Sequence, residues 1–172
     1  MAAKTVGDQF SNLIVSDLTM TAINTISFLE INVGLNIFDK VGLIVERCEY
    51  TPSGATLSDL DTDADAVSMG LVSSNAIANM DPDQSEIIDV VTIQRHDMGA
   101  AASGWLHRNP IINDFSTMGG GGLLIPPKPL YVAMASGGMT VVGRVFLRLF
   151  FRILKLESDQ YLELLETRRA FG

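Results

Sequence analysis

The side chains able to do chemistry in this chain are few, and their spacing argues against most of that chemistry. His96 and His107 are the two histidines, and Cys48 is the only cysteine. A structural zinc site draws on about four Cys or His ligands, usually in closely spaced pairs. These three residues make no such spacing, and each histidine reads as a loop or surface residue. A single cysteine also excludes a disulfide within the chain. Asp59, Asp61, Asp63 and Asp65 alternate along one segment, and alternating carboxylates can converge on calcium. A calcium loop of the EF-hand kind also wants Gly at its sixth position and Glu at its twelfth. Counted from Asp59, those positions hold Ala64 and Gly70; counted from Asp61, they hold Ala66 and Val72. Solvated charge is the first reading of the four aspartates, with calcium held between subunits the weaker one.

Gly119, Gly120, Gly121 and Gly122 are followed by Leu123 and Leu124, not by the Lys and Ser or Thr of a phosphate-binding loop. They read as a close-packed or flexible turn that uses backbone conformations closed to other residues. Nucleophile-elbow, zinc-protease and dinucleotide-binding signatures are absent from the sequence. No catalytic, cofactor-binding or firm metal set emerges, and the chain reads as non-enzymatic.

The elements around these residues are short and strand-like. Leu29, Ile31, Val33, Leu35 and Ile37 share one parity, as do Val41, Leu43 and Val45. Such alternation predicts two strands, and the short break at Asp39-Lys40 predicts that they pair as a hairpin. Thr51-Pro52-Ser53-Gly54 signals a turn. Val67–Val72, Glu86–Arg95, Pro110–Phe115 and Leu130–Met134 are further extended candidates, and Gly137-Gly138 is a turn. Pro126, Pro127 and Pro129 cannot donate ladder hydrogen bonds, which puts their segment at an edge or in a connection. Residues 1–24 show no firm period; Asp17–Ala22 reads as a turn or short helix.

Two periods compete in the last apolar run. As a strand, it places Val145, Leu147, Leu149, Phe151 and Ile153 on one face. Arg144, Phe146, Arg148, Phe150 and Arg152 then fall on the other. As a helix, it would carry a basic stripe suited to a membrane surface. The β-branched and aromatic content favours the strand. Ser158 reads as the N-cap of a terminal helix. The expected fold is therefore all-β: an antiparallel β-sandwich or single jelly roll of about eight strands, with a short C-terminal helix. One domain spans 1–172, with an N-terminal arm at 1–24, the sandwich at 25–156 and the helix at 158–170.

Composition points to association. Hydrophobic residues make up 47% of the chain and charged residues 19%, where about 25% charged is usual. Too little charge remains to cover the surface, so part of that surface is expected to be buried against other copies. The Arg–Phe face, Arg144, Phe146, Arg148, Phe150 and Arg152, is the candidate interface, since both residue types are enriched at interfaces. The net charge is −8. An acidic chain without a basic arm is a poor direct binder of nucleic acid.

Three segments together resemble viral single jelly-roll capsid proteins, in particular those of environmental and archaeal viruses. Ile31–Leu35 followed by Asp39–Val45 resembles the opening pair of strands. Gly121–Tyr131, with its prolines, resembles the connection into a late strand. Arg148–Leu156 followed by Ser158–Arg169 resembles the final strand and its helix. The resemblance implies a major or minor shell subunit of the virion, assembled in the host cytoplasm with other capsid subunits and without a cofactor. The missing basic arm fits a shell laid over an internal membrane better than one that grips the genome. A β-sandwich binding module or receptor-binding fibre head for a glycan or protein is the alternative. It would need clustered exposed aromatics, and the chain has only Trp105 and three tyrosines beyond its phenylalanines. A β-sandwich hydrolase would need a convergent histidine and acid.

Overall fold

The computed structural model describes residues 11–34, 40–95 and 110–171, with the side chains of the last helix described to Glu166. In chain order the elements are β1 (Asn12–Thr19), β2 (Ile26–Ile31), β3 (Val41–Pro52), the one-turn helix α1 (Gly54–Ser58), β4 (Ala66–Val72), β5 (Ile87–Gln94), β6 (Ile111–Asp114), β7 (Leu123–Ile125), β8 (Leu130–Gly137), β9 (Arg144–Lys155) and α2 (Ser158–Phe171). The first sheet runs β1-β9-β3-β6, with β7 also paired to β3, and the second runs β2-β8-β4-β5. Every pairing is antiparallel. Both sheets interleave early strands with late ones, the strand order of a jelly roll. The fold class expected from the sequence is the one observed.

Alternation in β9 drives this arrangement. Val145, Leu147, Leu149 and Phe151 are buried and meet Leu43, Val45 and Tyr50 of β3 and Met69, Leu71, Val132 and Met134 of the second sheet in one core. β3 does not keep a single parity. Val41, Leu43 and Val45 point inward, the register with β9 shifts between Val45 and Arg47, and Cys48 and Tyr50 then point inward. Glu46 is the extra residue of a β-bulge, which reverses the facing of everything after it. A second, smaller cluster lies on the outer face of the second sheet. There Ile77 and Met80, from the connection between β4 and β5, cover Val72 and Ala133, with Phe28, Val90 and Tyr131 packed around them.

Four local expectations are corrected. β2 ends at Ile31, and Leu29 is exposed although it shares the parity of Ile31. β2 and β3 do not form a hairpin, because β2 pairs with β8 and β3 with β9 in the other sheet. The connection between them crosses from sheet to sheet. Asp17–Thr19, expected as part of a turn or short helix, belongs to β1. Ser158 is the first residue of α2 rather than its cap, and its hydroxyl accepts from Lys40 Nζ at 2.8 Å. The first ten residues of the expected arm, Leu35, Ile37, Asp39, both histidines and Asp97–Asn109 lie outside the described residues.

The glycine run is close-packed only in its second half, since a Cβ on Gly119 or Gly120 would meet nothing within 4 Å. Gly120, Gly121 and Gly122 have φ of 88°, 77° and 154°. A Cβ on Gly122 would sit 2.5 Å from the carbonyl oxygen of Val45, so only glycine fits this approach to β3.

Candidate functional site

The outward face of the first sheet carries the Arg–Phe row. Strand alternation fixes its membership, and the pairing register fixes its neighbours. Phe150 of β9 lies between Leu13 of β1 and Arg47 of β3; Arg148 lies between Val15 and Glu49; Phe146 lies between Asp17 and Thr51. Across β3, Arg47 and Glu49 face Asp114 and Ile112 of β6. The predicted residues Arg144, Phe146, Arg148, Phe150 and Arg152 thus share one face of one strand.

Each arginine of that row has a carboxylate within the chain. Arg144 grips Asp17 with two nitrogens, its Nε donating at 2.7 Å. This hydrogen-bonded pairing holds the Asp17 carboxyl below the usual carboxylate range and raises the Arg144 guanidinium. Arg148 Nη1 reaches Glu49 at 3.3 Å, and Arg152 pairs with Glu46, the bulged residue. Arg47 Nε, shielded from solvent, lies 3.1 Å from the other oxygen of Glu49 as an ion pair without hydrogen-bond alignment. The guanidinium groups also roof the aromatic rings. Arg47 lies 4.0 Å above Phe150, and Arg144 lies 4.8 Å from the centre of Phe146. Such cation–π contacts contribute about 0.5–1 kcal/mol at exposed sites. Both phenylalanines are half-buried as a result.

The face is therefore a mosaic with its own charges matched, and its open apolar side chains flank the row. Val15 is 62% exposed, Ile112 50% and Leu13 46%. Sequence reasoning found the β9 residues but missed Leu13, Val15, Arg47 and the pairing acids. Leu13, Ile14 and Val15 are apolar on both parities, which hides the period of β1. At its β7 end the face is closed. A Cβ on Gly42 would meet Leu124 Cδ1 at 2.7 Å and Leu164 Cδ2 of α2 at 3.6 Å.

The four aspartates do not converge. Asp59 accepts from the backbone N–H groups of Thr140 and Val141 at 2.7 and 2.9 Å and from the Thr140 hydroxyl. Asp65 accepts from the backbone N–H groups of Thr62 and Asp61 at 2.8 and 3.2 Å. These bonds, from Thr140 and from Thr62 foremost, hold both carboxyls below the usual range. Among the described residues, no group of three or more His, Cys, Asp or Glu side chains is placed to hold a metal ion. Cys48 is buried, and desolvation pushes its thiol well up, the opposite of a reactive thiolate. Among the described residues no helix is long and apolar enough to cross a membrane.

The strand order and the face together define a single jelly-roll sandwich with an outward mosaic of arginine and phenylalanine. No protein-family model matches the chain, and no curated protein matches it. Among the solved structures that share its fold are two of one viral protein. VP1 of Trichodysplasia spinulosa-associated polyomavirus superimposes with a TM-score of 0.52 at 9% identity, covering 90% of this chain and 100% of that one. VP1 of the same virus in complex with GM1 oligosaccharide gives 0.54 at 8% identity, covering 90% and 98%. The likeness is one of fold, extending over nearly the whole of both chains.

Proposed function

We propose that this chain is a non-enzymatic structural subunit that assembles with copies of itself into the shell of a virus. The observation that carries the reading is the jelly-roll strand order, shared over 90% of the chain with the polyomavirus capsid protein VP1. The charge-matched outer face with its exposed Leu13, Val15 and Ile112 supports it, since burial of such a face against another subunit strands no unpaired charge. Arg144, Phe146, Arg148, Phe150 and Arg152 are the proposed contact residues. The reading makes the chain a component of the virion, assembled in the host cytoplasm as one domain. The shell would be laid over an internal membrane or filled by other means, because the chain carries a net charge of −8. The structural likeness is to a polyomavirus protein, so the environmental and archaeal lineage named by the sequence motifs gains no support from it.

A glycan-binding reading has one observation in its favour. A groove of about 500 Å³ opens on the second sheet, lined by Asn24, Ser68, Asn79, Asp81 and Thr92 among others, and VP1 has been captured with GM1 oligosaccharide. The groove lining contains no aromatic ring, the side chain that gives binding sites both apolar contact and a polar handle. Electron microscopy of the purified protein tests the two readings. Closed particles are the expected result. A strictly monomeric protein that binds glycans would replace the shell reading with the second.

A further inference from the structure

Among the described residues four strand edges of this sandwich lack a further partner, and three of them carry a guard. The β6 edge is four residues long and follows Pro110, and the adjoining β7 edge is three residues long and precedes Pro126. β2 is six residues long and displays the exposed Glu30 near its end. β5 has a register irregularity where it faces Leu71 and Val72, and the connection carrying Ile77 and Met80 folds back over its sheet. Short length, proline, charge and bulges are the devices by which sheet edges resist further pairing.

The β1 edge has no shortness, proline or bulge, and its one charge is paired within the chain. It runs for eight residues without proline, lysine or bulge, in continuous register with β9. On its other side, no strand among the described residues pairs with it. Its outward side chains include Leu13 and Val15, at 46% and 62% exposure. Its one ionisable side chain, Asp17, is already neutralised by Arg144. A long, apolar, uncharged edge is a template for another strand, whose N–H and C=O groups would complete the ladder.

We propose that β1 pairs antiparallel with β1 of a second copy about a two-fold axis at Ile14, joining the two first sheets into one. The strand is complementary to itself in this register. Leu13 falls opposite the partner's Val15, and by symmetry Val15 falls opposite the partner's Leu13, two apolar cross-strand pairs on the outer face. Ile14, half-buried against the core, meets the partner's Ile14 on the inner side. Asp17 lies opposite the partner's Ser11, so no like charges meet. Shifting the axis to Val15 would instead set Leu13 opposite the partner's Asp17, which leaves a single apolar pair, Val15 on Val15, on the outer face. A two-fold contact of this kind is isologous and closed, so it yields a dimer rather than an open fibre. The inference deepens the shell reading by naming one subunit contact, and it rests on that reading only in taking the partner to be a second copy.

The test uses the full chain with its buried Cys48 left in place. Leu13→Cys and Val15→Cys proteins are oxidised mildly, separately and mixed. The mixture is expected to give at least about tenfold more disulfide-linked dimer than either alone, since only it places the two thiols directly opposite, about 5 Å apart between Cβ atoms. Val15→Lys is expected to abolish the dimer in sedimentation while leaving the circular dichroism spectrum unchanged, because the side chain is exposed within the subunit. Equal cross-linking in the mixed and single samples, or an unchanged dimer in Val15→Lys, overturns the proposal. Larger assemblies with no mixed cross-link would overturn this contact while the shell reading stands. A chain that stays at 18.6 kDa and shows protection from hydrogen exchange at the β1 amides that point away from β9 would mean that another segment of the same chain covers the edge, and would overturn both.

Discussion

The hydroxyl of Tyr50 donates to Asp89 Oδ2 at 2.9 Å, across the interior between the two sheets. Tyr50 stands on β3 and Asp89 on β5, and the other oxygen of Asp89 accepts from Asn113 Nδ2 of β6 at 2.6 Å. Burial raises the Tyr50 phenol well above its ordinary range, so it remains a donor. Tyr50→Phe removes the donor and leaves a buried carboxylate short of a partner. A loss of about 1–3 kcal/mol in urea unfolding is expected. A change under about 0.5 kcal/mol would mean that water replaces the bond and that the tie between sheets is of little structural weight.

The facing of β9 predicts opposite outcomes on adjacent residues. Leu149 is fully buried, and Leu149→Ser should cost about 2–5 kcal/mol for the cavity alone, with a buried hydroxyl added. Phe146→Ser with Phe150→Ser removes two half-buried rings and their arginine roofs, and should leave the subunit folded while impairing assembly. Circular dichroism and sedimentation of both proteins decide the matter. Tolerance of Leu149→Ser with unfolding of the double variant would reverse the facing.

Acid should loosen the fold in a defined window. Hydrogen bonds from Arg144, Thr140 and Thr62 hold the Asp17, Asp59 and Asp65 carboxyls below the ordinary carboxylate range in the folded state. A carboxyl depressed on folding stabilises at pH well above its unfolded value, and that stabilisation is lost as pH falls through the folded one. Stability should therefore be flat with respect to these groups near neutrality and decline from about pH 5 downward. Asp59→Asn should lessen the slope, because its bonds to Thr140 and Val141 no longer titrate. An acid-unfolding curve unchanged in Asp59→Asn would show that this tie carries no linkage.

Nucleic acid should bind weakly. The net charge is −8, and the four arginines of the first sheet's outer face are matched by acids within the chain. Phosphate-driven affinity requires free Lys and Arg and falls steeply with salt. Filter binding at physiological salt should show little retention of DNA or RNA, and tight, salt-resistant binding would refute the expectation.

The legible part of this fold was the part with an unbroken period. β9 alternates strictly from Arg144 to Phe151, so its inward and outward sets can be read directly. β3 begins the same way, but the bulge at Glu46 carries no marker of its own, and Cys48 and Tyr50 end up inward against the parity of Val45. β1 was opaque because Leu13, Ile14 and Val15 are apolar on both faces. The Arg–Phe row was legible as a row; its ion pairs were not. Asp17 meets Arg144 across 127 positions, and no local pattern encodes a contact at that distance. The hairpin expected between β2 and β3 failed for a related reason. A short connection is as able to cross between layers as to turn within one.

The place of β9 in the first sheet has a consequence for how the protein is made. Among the described residues β9 is the last strand, and it lies between β1, the first, and β3. Until the ribosome has released Arg144–Lys155, β1 has no neighbour and β3 lacks its longest ladder. The growing chain must carry Leu18, Leu43 and Val45 uncovered until β9 emerges, then close that half of its core. Chains of this topology gather slowly and meet other nascent chains while their strands are bare. The same unfinished state that exposes them to aggregation also delays the presentation of β1's free edge, so subunits become competent to associate only once β9 has joined the sheet.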